Sequence, residues 1–190
     1  MRRRWRRNQR KLDPKRLVFI DETAISTSMT RRGGRAARGQ RLVCKVPFGA
    51  WQSVTMVAAL RHDRLTAPMT LNGAMTGDSF RSYIAQVLGP TLRRGDIVVM
   101  DNVPLHRTLA VREALEKLGV SVPTFPVYSL DLNPIEQAIA KLKAHLRKLV
   151  PRSPQRLTAA LRDGLQQFTS AQCTAFLHHS GYGPPKRGLL

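Results

Sequence analysis

Apolar and polar positions along the chain follow two different periods, and these divide it into predicted strands and helices. Short apolar or β-branched runs bounded by turn residues predict strands, and these runs are 17–20, 51–60, 65–71 and 97–100. Apolar residues spaced three and four apart predict helices, and these segments are 77–88, 109–118, 135–149 and 155–178. Residues 120–128 are expected to be extended. The order of the elements predicts a mixed α/β sheet covered by helices.

Two of these helices carry clear end signals. Asp78 or Ser79 is predicted to be the N-cap of the helix over 77–88, because short polar side chains accept hydrogen bonds from the first free amides of a helix. Gly119 stands directly after the helix over 109–118, where a glycine is typical of a C-terminal stop.

The charge balance restricts the class of protein. Among 190 residues, 32 are Lys or Arg and 12 are Asp or Glu, which gives a formal net charge of +20. Such an excess indicates a polyanionic partner, most simply nucleic acid. Cys44 and Cys173 lie far apart and form no disulfide framework. We find neither a membrane-spanning apolar run nor a secretory signal, so a membrane protein, a secreted protein and a small disulfide-rich protein are disfavoured.

Two segments concentrate the basic residues. Residues 1–16 read as a basic arm or linker that is disordered or lies along DNA, although a solvated charge run is an equally good interpretation. Residues 31–41 carry five arginines, three glycines and no acid, which is typical of a basic surface loop. The residues expected to contact DNA phosphates are Arg3, Arg4, Arg6, Arg31, Arg32, Arg35, Arg38, Lys141, Lys143 and Arg147.

Only a few of the acids lack a simple structural explanation. Asp21 and Glu22 directly follow the apolar run 17–20, and Asp101 follows the run 97–100, so each is expected at the carboxyl end of a buried strand. If the two strands are parallel neighbours, Asp21 and Asp101 converge. A carboxylate pair in so basic a chain is a natural site for Mg²⁺, which prefers oxygen ligands. His106 lies five residues after Asp101 and is, by itself, more consistent with a structural histidine.

Glu136 has two interpretations. Asn133, Pro134 and Glu136 occupy the N-cap, N1 and N3 positions of a capping box, which alone would explain the glutamate. Helical spacing also places Glu136 on one stripe with Lys143 and Arg147. A carboxylate followed by cations suits a metal ligand with phosphate-binding residues behind it, and it also suits an ordinary solvated face.

Three segments together resemble the catalytic domain of bacterial insertion-sequence transposases of the Tc/mariner superfamily. They are FIDET (19–23), VVMDNVPLH (98–106) and VYSLDLNPIEQAIAKLKAHLRK (127–148). The stretch that separates Asp101 from Glu136 (residues 102–135) is similar in length to the spacing of the superfamily's acidic DDE triad. The DLNPIE sequence is the most specific of these motifs.

The resemblance implies a ribonuclease H-like fold, with Asp21 and Asp101 on the first and fourth strands of a central mixed sheet and Glu136 as the third metal ligand. It also implies DNA cleavage and strand transfer with two Mg²⁺ ions, for which Mn²⁺ can substitute. Supporting roles are assigned to Glu22, Asn102, His106 and Asn133. The expected partners are double-stranded DNA at transposon ends and target, and a second copy of the chain. The expected location is the bacterial cytoplasm, at the nucleoid.

The expected domain boundaries are 1–16 for the arm, 17–180 for the catalytic domain and 181–190 for a C-terminal tail. Members of the superfamily carry an N-terminal helix-turn-helix domain, which we expect in a separate or frameshift-fused segment. The sequence departs from the family pattern at Pro104-Leu105, and Val127 and Leu130 replace prolines. Two alternatives stay open: a catalytically impaired DNA-binding remnant, and a ribonuclease H-like nuclease without strand transfer.

Overall fold

One mixed sheet forms the centre of the chain. The structure is a computed structural model that describes residues 1–183, apart from 45, 47, 104, 105, 107 and 128. Its strands are β1 (Leu17–Ser26), β2 (Ser53–Leu60), β3 (Leu65–Asn72) and β4 (Ile97–Val99), in the spatial order β3-β2-β1-β4. β2 is antiparallel to β1 and β3, whereas β4 is parallel to β1. The predictions of a mixed sheet and of strands within 51–60 and 65–71 are confirmed. The condition that the strands preceding Asp21 and Asp101 be parallel neighbours is met.

β1 is longer than its apolar run. It continues to Ser26 because β2 pairs with it throughout, from Phe19 opposite Leu60 to Ser26 opposite Ser53. The parallel partner β4 ends opposite Phe19. The prediction that Asp21 follows the end of its strand is therefore wrong. The acid lies inside β1, just beyond the point where the parallel pairing with β4 ends.

Helices cover both faces of this sheet. Those in the described residues are α1 (Arg2–Gln9), α2 (Gly77–Tyr83), α3 (Leu109–Lys117), α4 (Ile135–Leu149), α5 (Pro154–Gln166) and α6 (Ser170–His179). α2 continues through a π-helical turn to Leu88, but its N-cap is Thr76 instead of Asp78 or Ser79. The segment predicted as one helix over 155–178 is two helices, because Thr169 forms a capping box with Gln172 that starts α6.

The basic N-terminal segment folds onto the body of the protein. Trp5 of α1 packs against Phe125 with ring centroids 5.3 Å apart. Gln9 is buried and donates hydrogen bonds to the backbone oxygens of Ser180 and Gly181. Residues 2–9 are therefore helical and packed, contrary to the expectation of an arm that is disordered or lies along DNA. The domain boundaries themselves stay predictions.

Side chains alternate between the two faces of β1 and so contribute to two separate clusters of the core. Val18 and Ile20 face one cluster, which includes residues of α2 and α3. Leu17 and Phe19 face a second cluster, built with α4, α6 and Tyr182. All four of these β1 residues are fully buried. This alternation determines where the acids that follow them point.

Candidate active site

Asp21 and Glu22 point to opposite faces of the sheet, because successive side chains on a strand alternate. Asp21 continues the row of Leu17 and Phe19 and lies towards the start of α4, where Asn133 contacts it. Glu22 continues the row of Val18 and Ile20 and lies on the side of α2 and α3. Two adjacent acids are thereby placed in two different environments.

His106 links the carboxylates of Glu22 and Asp101. Its Nε2 lies 2.9 Å from Oε1 of Glu22, and its Nδ1 lies 2.6 Å from Oδ1 of Asp101. The imidazole is fully buried and packs on Phe80, with ring centroids 4.4 Å apart. Burial disfavours the charged imidazole, but the hydrogen bonds to Asp101 and Glu22 outweigh it and raise the pKa of His106 to about 9.

Asp101 is held by the same contact. Burial acts to raise the pKa of Asp101, but the hydrogen bond and the charge of His106 more than offset this and lower it below its usual value. The negative charge on this side of the site is therefore compensated by a residue of the protein.

The Asp21 carboxylate has no such compensation in its described contacts. It accepts hydrogen bonds from the backbone N–H of Glu22 at 2.8 Å and from Nδ2 of Asn133 at 3.1 Å. Burial, followed by the negative charges of Glu136, Asp101 and Glu22, raises the pKa of Asp21 to about 7. The structure thus brings the predicted triad of Asp21, Asp101 and Glu136 close enough for the charges to act on one another.

The capping interpretation of Glu136 is wrong. The side chain of Asn133 does not accept a hydrogen bond from the first turn of α4, and α4 begins without a side-chain cap. Asn133 instead turns to Asp21 on β1. The glutamate accordingly stands in the first turn of α4 without the structural role that its sequence context offered.

The donor set fits a hard divalent cation. Its members are carboxylate oxygens, which Mg²⁺ and Mn²⁺ accept, and the buried Oδ1 of Asn133 has no hydrogen-bond partner. Among the described residues, no three Asp, Glu, His or Cys side chains are grouped as a formed metal site. Binding an ion with all three acids therefore requires side-chain movement.

The predicted phosphate-contacting residues fall into three groups. Lys143 lies close enough to the acids for their charges to act on it. Burial and the positive charges of Arg147 and Arg32 lower the pKa of Lys143, whereas the negative charges of Glu136 and Asp21 act to raise it. Lys141 is turned elsewhere: its Nζ donates to Gln167 and Gln172. Arg147 is half-buried on α4 and its charge acts on Lys143, so these two belong to the same group. The remaining predicted residues are exposed, namely Arg3, Arg4, Arg6, Arg31, Arg32, Arg35 and Arg38.

A cavity of about 530 Å³ adjoins Asp101. Asn102, a predicted supporting residue, lies in its wall, and so do the two residues that replace family prolines, Val127 and Leu130. Both are exposed apolar side chains at this opening. The departure at Pro104-Leu105 lies outside the described residues.

The sequence gives little sign of a set of contacts made by residues near the two ends of the described chain. Arg2 pairs with Asp131 through two hydrogen bonds of 2.8 Å, and Arg6 contacts the same carboxylate at 3.1 Å. Trp5 donates to the hydroxyl of Tyr182, which donates to the backbone oxygen of Leu132. The only signals in the sequence were a single tryptophan in a basic run and an isolated tyrosine after α6.

No helix in the described ranges has the length and apolar character needed to cross a bilayer.

Comparisons with solved structures identify the fold. The Mos1 transposase paired-end complex with the left transposon end superposes with a TM-score of 0.75 and 20% sequence identity, over 90% of this chain and 54% of that chain. The paired-end complex of the same transposase with Mn gives 0.75 and 19%, over 90% and 54%. The catalytic domain of Mos1 mariner transposase gives 0.65 and 17%, over 90% and 80%. The chain therefore spans little more than half of the full transposase chains.

The predicted ribonuclease H-like fold is confirmed by these structures. A search of curated proteins found no match. Residues 16–157, more than half of the chain and including all three predicted acids, match the family described as DDE superfamily endonuclease. The chain belongs to the DDE superfamily of endonucleases and has the fold of a mariner transposase catalytic domain.

Proposed function

We propose that this chain is the catalytic part of a transposase that cuts DNA at transposon ends and joins the cut strand to target DNA, using divalent metal ions. The observation that carries the proposal is that the charges of Asp101 and Glu136 both act on Asp21. The three acids come from β1, from just beyond the end of its parallel neighbour β4, and from the first turn of α4. Family membership and the likeness to Mos1 support the same activity.

Each acid has a distinct role in this proposal. The charges of both other acids act on Asp21, so it is the residue that would hold both metal ions, with Asp101 and Glu136 each completing one side. When bound, two divalent ions lower the pKa of an attacking water or 3′-hydroxyl and stabilise the leaving oxygen. Asn133 orients Asp21 through its amide, and His106 holds Asp101 and Glu22 through its two ring nitrogens.

The DNA backbone would be held by cations around the acids. Lys143 and Arg147 follow Glu136 along α4, and Arg32 acts on the same lysine from the loop after β1. Such contacts position a duplex but read no sequence. Double-stranded DNA as the partner is supported by the Mos1 transposase having been solved with a transposon end.

Mg²⁺ as the ion, with Mn²⁺ as a substitute, is part of the proposal and is supported by Mos1 structures solved with each metal. The proposal also includes a homodimer on DNA, an N-terminal helix-turn-helix segment supplied separately or by frameshifting, and a location at the bacterial nucleoid.

Two assays separate the proposal from its alternatives. Nicking of supercoiled plasmid by the purified chain should require Mg²⁺ or Mn²⁺ and should stop on chelation. A precut donor duplex with a free 3′-hydroxyl should then become covalently joined to target DNA. Nicking without joining would favour a ribonuclease H-like nuclease, and DNA binding with neither reaction would favour an impaired remnant.

A further inference from the structure

Residues 129–133 connect the cavity beside Asp101 to the start of α4 and carry the residues that meet Asp21. Leu130–Leu132 form a 3₁₀ turn, Asn133 contacts Asp21, and Glu136 follows in the first turn of α4. The position of this turn therefore determines where the third acid stands relative to the first.

The turn is held from outside by both ends of the described chain. The hydroxyl of Tyr182 donates to the backbone oxygen of Leu132 at 2.9 Å, and Nε1 of Trp5 donates to that hydroxyl at 3.1 Å. Tyr182 is fully buried and packs on Phe19 of β1, with ring centroids 4.9 Å apart. The hydroxyl is thus fixed relative to the strand that carries Asp21.

A second set of contacts holds the exposed side of the same turn. Arg2 binds Asp131 through both carboxylate oxygens and also donates to Oγ of Ser129 at 3.2 Å. Paired hydrogen bonds between guanidinium and carboxylate fix orientation as well as distance. α1 is itself attached to the body by Trp5 and by Gln9, which binds the backbone next to Tyr182.

We propose that Tyr182, supported by α1, is a positioning residue for the third acid: its hydroxyl, through Leu132, sets Asn133 and Glu136 against Asp21. We call Arg2, Trp5 and Tyr182, which contact the turn 129–133, the brace. The expected effect of the brace on catalysis rests on the proposed nuclease function. Its effect on the position of the turn is independent of that function.

The test uses Tyr182→Phe in the full chain, which keeps the ring and removes only the hydroxyl. Tyr83→Phe is the matched control, because Tyr83 is equally buried but its hydroxyl has no hydrogen-bond partner. Hydrogen–deuterium exchange, without metal, should be about fivefold faster in Tyr182→Phe at the amides of Leu132, Asn133 and residues 135–137, since one buried hydrogen bond is removed. Exchange in β2 should stay unchanged.

Plasmid nicking against Mg²⁺ concentration gives the functional readout. In Tyr182→Phe the Mg²⁺ concentration for half-maximal rate should rise about fivefold, with a smaller change at saturating Mg²⁺, because a displaced ligand weakens metal binding first. Trp5→Phe, which keeps a ring but loses the N–H, should give a smaller shift in the same direction. Tyr83→Phe should match the wild type.

Unchanged exchange at 132–137, or equal Mg²⁺ dependence of Tyr182→Phe and Tyr83→Phe, would overturn the proposal. Failure of the proposed function looks different. In that case the wild-type chain does not nick DNA at any Mg²⁺ concentration, and the exchange experiment alone decides whether the brace holds the turn.

Discussion

Asp21 and Glu22 are adjacent on β1, but they point to opposite faces of the sheet and meet different partners. Glu22 shares the buried His106 with Asp101, and the hydrogen bond and charge of His106 lower the pKa of Asp101. On the opposite face, the part-buried Asp21 has an amide and a backbone N–H as hydrogen-bond partners, and burial with the charge of Glu136 raises its pKa to about 7. One acid of β1 is in direct contact with a cationic side chain of the protein, and the other, among the described contacts, is not.

This difference indicates how the site is organised for a cation. Buried charge without a counter-charge is costly, and proteins relieve it by protonation, pairing or a bound metal. The Asp21 side is the part of the site whose charge a divalent ion would relieve. The contact with His106 favours the ionised form of Asp101, the form that binds a cation. Substitutions on each side of the site test this division.

The largest effect is expected for Asp101→Asn. The amide keeps the size of the side chain but is a poor ligand for a hard cation, so Mg²⁺-dependent nicking should fall by about a hundredfold or more. Circular dichroism should show an intact fold. Nicking at the wild-type rate would remove Asp101 from the metal site.

Replacing His106 by alanine should affect both stability and activity. The change leaves a hole beside Phe80 and deprives Glu22 and Asp101 of their partner, so unfolding should become easier by about 1–3 kcal/mol, as measured by urea denaturation. Nicking should fall less than in Asp101→Asn, because the carboxylate ligand remains. An unaltered unfolding midpoint would show that the His106 contacts do not stabilise the fold.

Asn133→Ala distinguishes an Asp21-orienting amide from a helix cap. Stability should fall by only about 0.5–1.5 kcal/mol, the value of one hydrogen bond, while nicking at low Mg²⁺ should fall clearly. Thr169→Ala is the control, because Thr169 does cap a helix, and it should cost about 0.5–2 kcal/mol with nicking unchanged. The same profile for both variants would restore the capping interpretation of Asn133.

The smallest effect is expected outside the acids, in the basic loop. Replacing Arg35 and Arg38 by glutamine should weaken DNA binding uniformly across sequences. It should also reduce the slope of log affinity against log salt by about 0.9 for each phosphate that the protein no longer neutralises. Fluorescence anisotropy with duplexes of unrelated sequence measures both quantities. Weaker binding to one sequence alone would mean that these arginines read bases.

Local sequence patterns were sufficient to predict much of the fold and of the candidate site. The apolar runs before Asp21 and Asp101 predicted two neighbouring strands, and the DLNPIE motif placed Glu136 at the start of α4. The length of β1 could not be predicted, since it depends on pairing with β2. Long-range contacts were also out of reach. Nothing near His106 in sequence shows that it meets Glu22, and Asn133 has the appearance of a cap until β1 is placed beside it.

The most direct test of the central claim compares Glu136→Gln with Glu116→Gln, an exposed glutamate on α3. The two variants lose the same charge, and both should melt within a few degrees of the wild type, because neither side chain is needed for packing. In plasmid nicking at saturating Mg²⁺, Glu116→Gln should retain full activity, whereas Glu136→Gln should lose about a hundredfold or more. Near-normal nicking by Glu136→Gln would contradict the three-carboxylate site.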